Sequence, residues 1–78
     1  VPRFRSAIEH FTKAIGINKQ NVDAMAQRGH AKLWLARMIE SERKEHYRAA
    51  LSDFESAVAI NPLKKAEVEE WMKECRGE

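Results

Sequence analysis

An all-helical fold is predicted for this chain from three observations. Its apolar residues recur at three- and four-residue spacing, no proline occurs between Pro2 and Pro62, and one helical pattern appears twice. No segment alternates apolar and polar residues as a half-buried strand does, so no strand is expected.

The first helix is predicted over roughly residues 3–17. Phe4, Ala7, Ile8, Phe11, Ala14 and Ile15 fall on one stripe of a 3.6-residue period, and Arg5, Ser6, Glu9, His10, Thr12 and Lys13 fall outside it. Residues 18–21 are a polar break. Asn21 is placed to cap the next helix, with Asp23 in its first turn, where a negative charge suits the dipole. The second helix, from Val22 to about residue 42, puts Val22, Met25, Ala26, Gly29, Leu33, Ala36 and either Met38 or Ile39 on one broad face. Gln27, Arg28, Lys32 and Arg37 lie off that face. Gly29 costs about 1 kcal/mol against alanine in mid-helix, so its expected use is the close approach of a neighbouring helix. Residues 40–46 are all polar and read as an exposed helical extension or a charged loop.

The first pattern then returns in a third helix over about residues 45–60, as Tyr47, Ala50, Leu51, Phe54, Ala57 and Val58. Aligned without gaps, residues 4–18 and 47–61 are identical at six of fifteen positions and swap one apolar or aromatic residue for another at three more. Asn61 and Pro62 form a helix-start signal, a cap followed by proline in the first turn. The fourth helix, about residues 63–76, keeps only Val68, Trp71, Met72 and Cys75 as a narrow apolar stripe. A helix apolar on one side suits the end of a stack, whose outer face meets water.

A chain of 78 residues has room for one modest core. Apolar residues at 44% argue against disorder, and charged residues at 33% argue against a membrane span. No targeting segment is visible, and the single cysteine, Cys75, excludes an intrachain disulfide and a thiolate metal cluster. A reducing, cytoplasmic setting fits best. The formal charge of +2 is uneven: residues 1–39 carry seven Lys/Arg against two acids, and residues 40–78 carry seven against ten. That asymmetry can steer an acidic partner toward the N-terminal half, although the bases are scattered singly and also suit solvated faces.

With these elements in place, the chain resembles a tetratricopeptide repeat (TPR) protein. Tyr47, Ala50, Leu51, Phe54, Ala57, Val58, Asn61 and Pro62 match every position of that family's second-helix pattern. Residues 4–18 match it equally until Lys19 replaces the proline. In the second helix, Gly29 and Ala31 fit the small-residue register of a first-type helix, with Met25 where the family usually has Trp. The resemblance implies antiparallel helix pairs in a right-handed superhelix. Residues 1–21 would be the second helix of an incomplete repeat, 22–62 one repeat with an insertion near 36–46, and 63–78 a capping helix. The offset between the matching helices is 43 residues, against about 34 in the family, and Lys32 stands where an aromatic is usual. The chain opens on a second-type helix, which implies either a piece of a longer array or a first helix supplied from elsewhere.

The resemblance further implies a non-catalytic interaction segment, a scaffold or adaptor holding a peptide or protein in a helical groove lined by Asp23, Gln27, His30, Leu33 and Trp34. The alternative is a co-chaperone that clamps an acidic chaperone C-terminal tail. Such clamps use Asn where this chain has Gln27, and they span about three repeats. Because the stripe of Phe4 to Ile15 lacks a preceding helix, self-association or docking onto a missing repeat is also expected.

No catalytic, cofactor or metal residue is expected. His10, His30 and His46 are 20 and 16 residues apart without a second ligand at metal spacing. Ser6, Ser41, Ser52 and Ser56 lack an adjacent base and orienter, and no Gly-rich loop cradles a phosphate. Glu67, Glu69, Glu70 and Glu74 read as a solvated acidic face, and Cys75 as a small core residue or a reactive thiol. Phe4, Phe11, Tyr47 and Phe54 read as core. Trp34 lies between Leu33 and Leu35 and cannot share a helix face with both, so it either packs under the charged segment 40–46 or stands exposed in the groove. Basic and aromatic residues do not interleave on an exposed face, so nucleic acid is not an expected partner.

Overall fold

A computed structural model describes residues 2–78; Val1, the first residue of the expected domain, lies outside the described residues. Four α-helices follow one another: α1 (Pro2–Ile17), α2 (Val22–Met38), α3 (Arg43–Ile60) and α4 (Lys65–Arg76), with 3₁₀ turns at Glu40–Glu42 and Pro62–Lys64. No strand occurs among the described residues.

The helix ends follow from local hydrogen bonding. Asn21 Oδ1 accepts from the Ala24 N–H at 3.0 Å, which caps α2 as its sequence predicts. Asn61 Oδ1 accepts from the Leu63 N–H at 3.1 Å and starts the Pro62–Lys64 turn that leads into α4. Gly77 closes α4 in the left-handed region at φ 79°, with its N–H on the Glu74 carbonyl and that of Glu78 on Lys73. The second helix is shorter than the predicted 22–42. It stops at Met38 because Ile39 turns extended (φ −113°, ψ 91°), and the Arg43 guanidinium reaches back to the Ala36 carbonyl at 3.0 Å. That cation satisfies one of the orphan carbonyls of the α2 terminus. The third helix accordingly begins at Arg43 rather than near residue 45. Residues 36–46 thus divide among the end of α2, one tight turn and the start of α3, and they form no loop of their own.

Helix α2 is the centre of the molecule. It packs most extensively on α3, takes α1 on another side, and touches α4. Its apolar surface is therefore two faces rather than the single one predicted, and Leu33 and Leu35 are both fully buried although they point in opposite directions. The core joins Ala26 and Leu33 of α2, Ala50 and Phe54 of α3, and Val68 and Met72 of α4. Phe54 is 0% exposed, and its ring lies directly against Gly29: a Cβ built there would sit 2.8 Å from Phe54 Cε1. This is the close approach that a mid-helix glycine predicts.

Three of the four aromatics expected in the core are only half-buried. Phe4 and Phe11 belong to α1, which packs on α2 alone among the helices, and Tyr47 keeps its hydroxyl at the surface to meet Glu74. Met38, a candidate for the buried face of α2, is 51% exposed. The whole measures 32 × 28 × 15 Å, little thicker than one helix with its side chains.

One buried charge organises the polar side of the packing. Asp53 of α3 is 5% exposed, and Arg28 of α2 clasps it bidentately at 2.9 and 2.7 Å while Lys32 reaches it at 3.0 Å. The same Arg28 donates to Thr12 Oγ1 of α1 at 3.1 Å, so one guanidinium ties three helices. Arg28 and Lys32, predicted off the apolar face, thus lean inward, because a desolvated carboxylate demands paired cations. No buried side-chain polar atom lacks a partner among the described residues, and no helix there is long and apolar enough to cross a membrane.

Candidate functional site

The five residues expected on the groove separate. Leu33 does not belong to a surface: it is 0% exposed in the core, because α2 buries two sides and that position faces α3 and α4. Asp23 is exposed at the start of α2 and pairs with Lys64 at 2.6 Å, a lysine that also holds Glu67 at 2.7 Å. The carboxylate of Asp23, then that of Glu67, raises the Lys64 pKa. Gln27 is exposed. His30 and Trp34, one turn apart on α2, do come together.

Trp34 is 39% exposed, and of its two sequence readings it does not take the one that packs it under segment 40–46. Its ring partners are Phe4, His30 and Arg37, none of them in segment 40–46. The indole stacks on Phe4 of α1 (centroids 6.1 Å, planes 9° apart), and the Arg37 guanidinium lies 4.8 Å from its centroid. Its Nε1–H donates to His30 Nε2 at 3.1 Å. The His30 imidazole in turn stacks on Trp71 of α4 at 4.2 Å, and Trp71 backs onto Phe54 at 5.8 Å. Phe4, Trp34, His30 and Trp71 therefore form a continuous aromatic strip across α1, α2 and α4.

A polar clamp lines the edge of this strip. Arg37 donates to both carboxylate oxygens of Glu74 at 2.9 and 2.6 Å, and the Tyr47 hydroxyl donates to Glu74 Oε2 at 3.2 Å. Glu74 is therefore not part of a solvated acidic face. The bonds from Arg37 hold its carboxyl below the usual range, and Glu74 raises the Arg37 pKa. Burial and then the bond to Glu74 push the Tyr47 phenol up. Burial, followed by the nearby charge of Arg37, lowers the His30 pKa, so this imidazole is neutral at pH 7 and keeps Nε2 free to accept from Trp34. The sequence reading left Arg37 among the polar residues off the apolar face and Glu74 on an acidic face, and did not pair them. The signal was present: each stands three residues after a tryptophan, Trp34 and Trp71, and their charges are opposite.

The thiol nearest this constellation is not activated. Cys75, half-buried beside Trp71 and Tyr47, has its thiol pushed up to about 11, by burial first and then by Glu74, and so stays protonated. Of its two sequence readings, this environment favours the core one. Two shallow clefts follow the helix seams. One of about 360 Å³ lies between α1, α2 and α3 and is lined in part by Arg5, Ile8, Lys32 and Leu35. The other, between α3 and α4, is lined in part by Tyr47, Arg48, Leu51 and Cys75. Arg5 and Ile8 occupy the same repeat positions as Arg48 and Leu51. Comparisons with known protein families, with curated proteins and with solved structures find no match for this chain.

Proposed function

We propose that this chain is a non-catalytic protein-interaction segment of TPR type, and that it holds an extended peptide against the aromatic strip of α2 and α4. Under this reading α1 is the second helix of an incomplete repeat, α2 and α3 form one repeat, and α4 caps the stack. The repeat between residues 4–18 and 47–61, the seat of Phe54 on Gly29, and the contact of α2 with α4 all support it.

The observation that carries the reading is the half-exposed Trp34, a rigid aromatic surface with its N–H already satisfied by His30 and exposed Gln27 on the same helix. A pre-ordered indole loses little entropy on binding, which is why such residues anchor interfaces. Peptides selected from a display library on the full chain serve as probes. Trp34→Ala is expected to weaken the selected peptides by about 2 kcal/mol or more while the helix content stays. Undiminished affinity for Trp34→Ala would sink the reading. A steep loss of affinity with added salt marks the alternative occupant, an acidic chaperone tail held by charge.

A further inference from the structure

We infer that the outer face of α1, formed by Ala7, His10, Phe11, Ala14 and Ile17, is a docking seat for an acidic amphipathic helix of another polypeptide, with a glycine or alanine where it crosses Phe11. The inference rests on the internal repeat and not on the peptide site proposed for α2 and α4.

The two copies of the repeat report on each other. In α3, Ala50, Phe54 and Ala57 are each 0% exposed because α2 covers them. Their counterparts in α1 are Ala7, Phe11 and Ala14, with the same spacing and chemistry, and all three are only partly buried. Ile17, further along that side, is 89% exposed. The opposite sides of the two helices are used alike: Arg5 and Ile8 line the seam with α2 as Arg48 and Leu51 line the seam with α4. Among the described residues, helix α1 thus has the neighbour that α4 is to α3 and not the one that α2 is to α3.

What fits there follows from how α2 fits α3. Gly29 leaves no room for a Cβ over Phe54, so a small residue is required over Phe11. Beside it, α2 presents Arg28 and Lys32 to Asp53, and the counterpart of Asp53 in α1 is His10. Two desolvated cations against an imidazole would have no counter-charge, whereas a carboxylate accepts its N–H. Arg3 and Lys13 on the same helix are exposed and have no acidic partner among the described residues. The seat therefore calls for the charge-reversed form of α2. A second copy of this chain is a poor occupant: its α2 is basic at the matching positions and already packed. Pairing α1 with α1 would set Arg3, His10 and Lys13 of one copy against those of the other.

The probes are two fluorescently labelled peptides of residues 21–39, one unchanged and one carrying Arg28→Glu and Lys32→Glu, titrated with the full chain by anisotropy. The acidic peptide is expected to bind at least about tenfold tighter, the effect of one or two partly desolvated charge contacts. Phe11→Ala in the chain should weaken it by about tenfold or more, an excess of a library-selected peptide should not displace it, and His10→Asp should reverse the preference toward the unchanged peptide. Should Phe11→Ala lose its helical circular dichroism, Ala14→Arg blocks the same face without removing a packed ring. Displacement by the library-selected peptide would place the acidic peptide in the α2–α4 site and overturn the seat while leaving the proposed function standing. Equal affinity of the two peptides, no binding by either, or binding indifferent to Phe11→Ala and Ala14→Arg overturns the inference. So does a dimer in sedimentation that Ala14→Arg dissociates, because the occupant would then be a second copy.

Discussion

Gly29 gives up helix propensity in return for the Phe54 ring, and the two effects can be weighed. Alanine at this position would gain about 1 kcal/mol of propensity but would force the ring of a fully buried phenylalanine to move, which in a packed core costs about 1–3 kcal/mol. Gly29→Ala is therefore expected to lower stability in a urea titration by roughly 1 kcal/mol; a more stable variant would show that the core yields there. This residue was legible because mid-helix glycine is costly and must have a use. The caps at Asn21 and Asn61 were legible as well, since their partners lie two or three residues away. Asp53 was not. Its partner Arg28 lies 25 residues away, and a lone acid among the polar residues of a helix carries no mark of burial. Leu33 was read on the apolar face from its spacing and in the groove from the family resemblance, and its burial against α3 and α4 agrees with the spacing.

The four helices could be read from spacing alone, but their ends could not be read equally well. The α2 terminus depends on Ile39 leaving the helix and on Arg43 reaching back to Ala36, a bond formed only once the turn exists. A run of polar, helix-compatible residues from 40 to 46 conceals it. The duplicated helix shows the other limit. The same six positions bury three residues fully in α3 and none in α1, so a sequence stripe states what a helix can bury and its neighbours decide what it does bury. The matched substitutions should differ accordingly. Phe54→Ala is expected to cost about 3–5 kcal/mol, and Phe11→Ala about 1–2 kcal/mol, because only part of its ring leaves water. Equal losses in urea denaturation would mean that α1 is covered on both sides in solution.

At the scale of the molecule, the aromatic strip and its polar clamp set the pH range of stability. His30 is lowered below its ordinary value of 6.5, so the unfolded chain takes up this proton first and stability declines as pH falls below 6.5. Glu74 is lowered below 4.5, and its contribution, present above 4.5, is lost as pH falls further through its folded value. On the alkaline side Cys75 is raised from 9.0 to about 11 and Tyr47 is raised above 10.0, so their contributions are complete below 9.0 and vanish as pH rises through the folded values. Melting temperature is expected to be flat from about pH 6.5 to 9 and to fall on both sides. His30→Gln should flatten the first acid step between 6.5 and 4.5 while leaving the steeper one. A melting curve unchanged down to pH 5 would contradict the neutral, Trp34-bound imidazole.

The attachment of α1 to α2 alone has a consequence for how the molecule opens. Among the described residues, the 3.7 Å ion pair of Arg5 with Glu42 is the one polar contact that holds α1 beyond that helix. Leaving therefore exposes little of the core built from α2, α3 and α4. Amide hydrogens of α1 should exchange with solvent deuterium through a local undocking, with rates nearly independent of low concentrations of denaturant. Those of α3 around Phe54 should wait for global unfolding. The chain would then behave as two cooperative units, and a ligand covering the outer face of α1 would merge them by slowing exchange in α1 alone. A single exchange free energy shared by α1 and α3 would show instead that the first helix is bound into the fold as firmly as the rest.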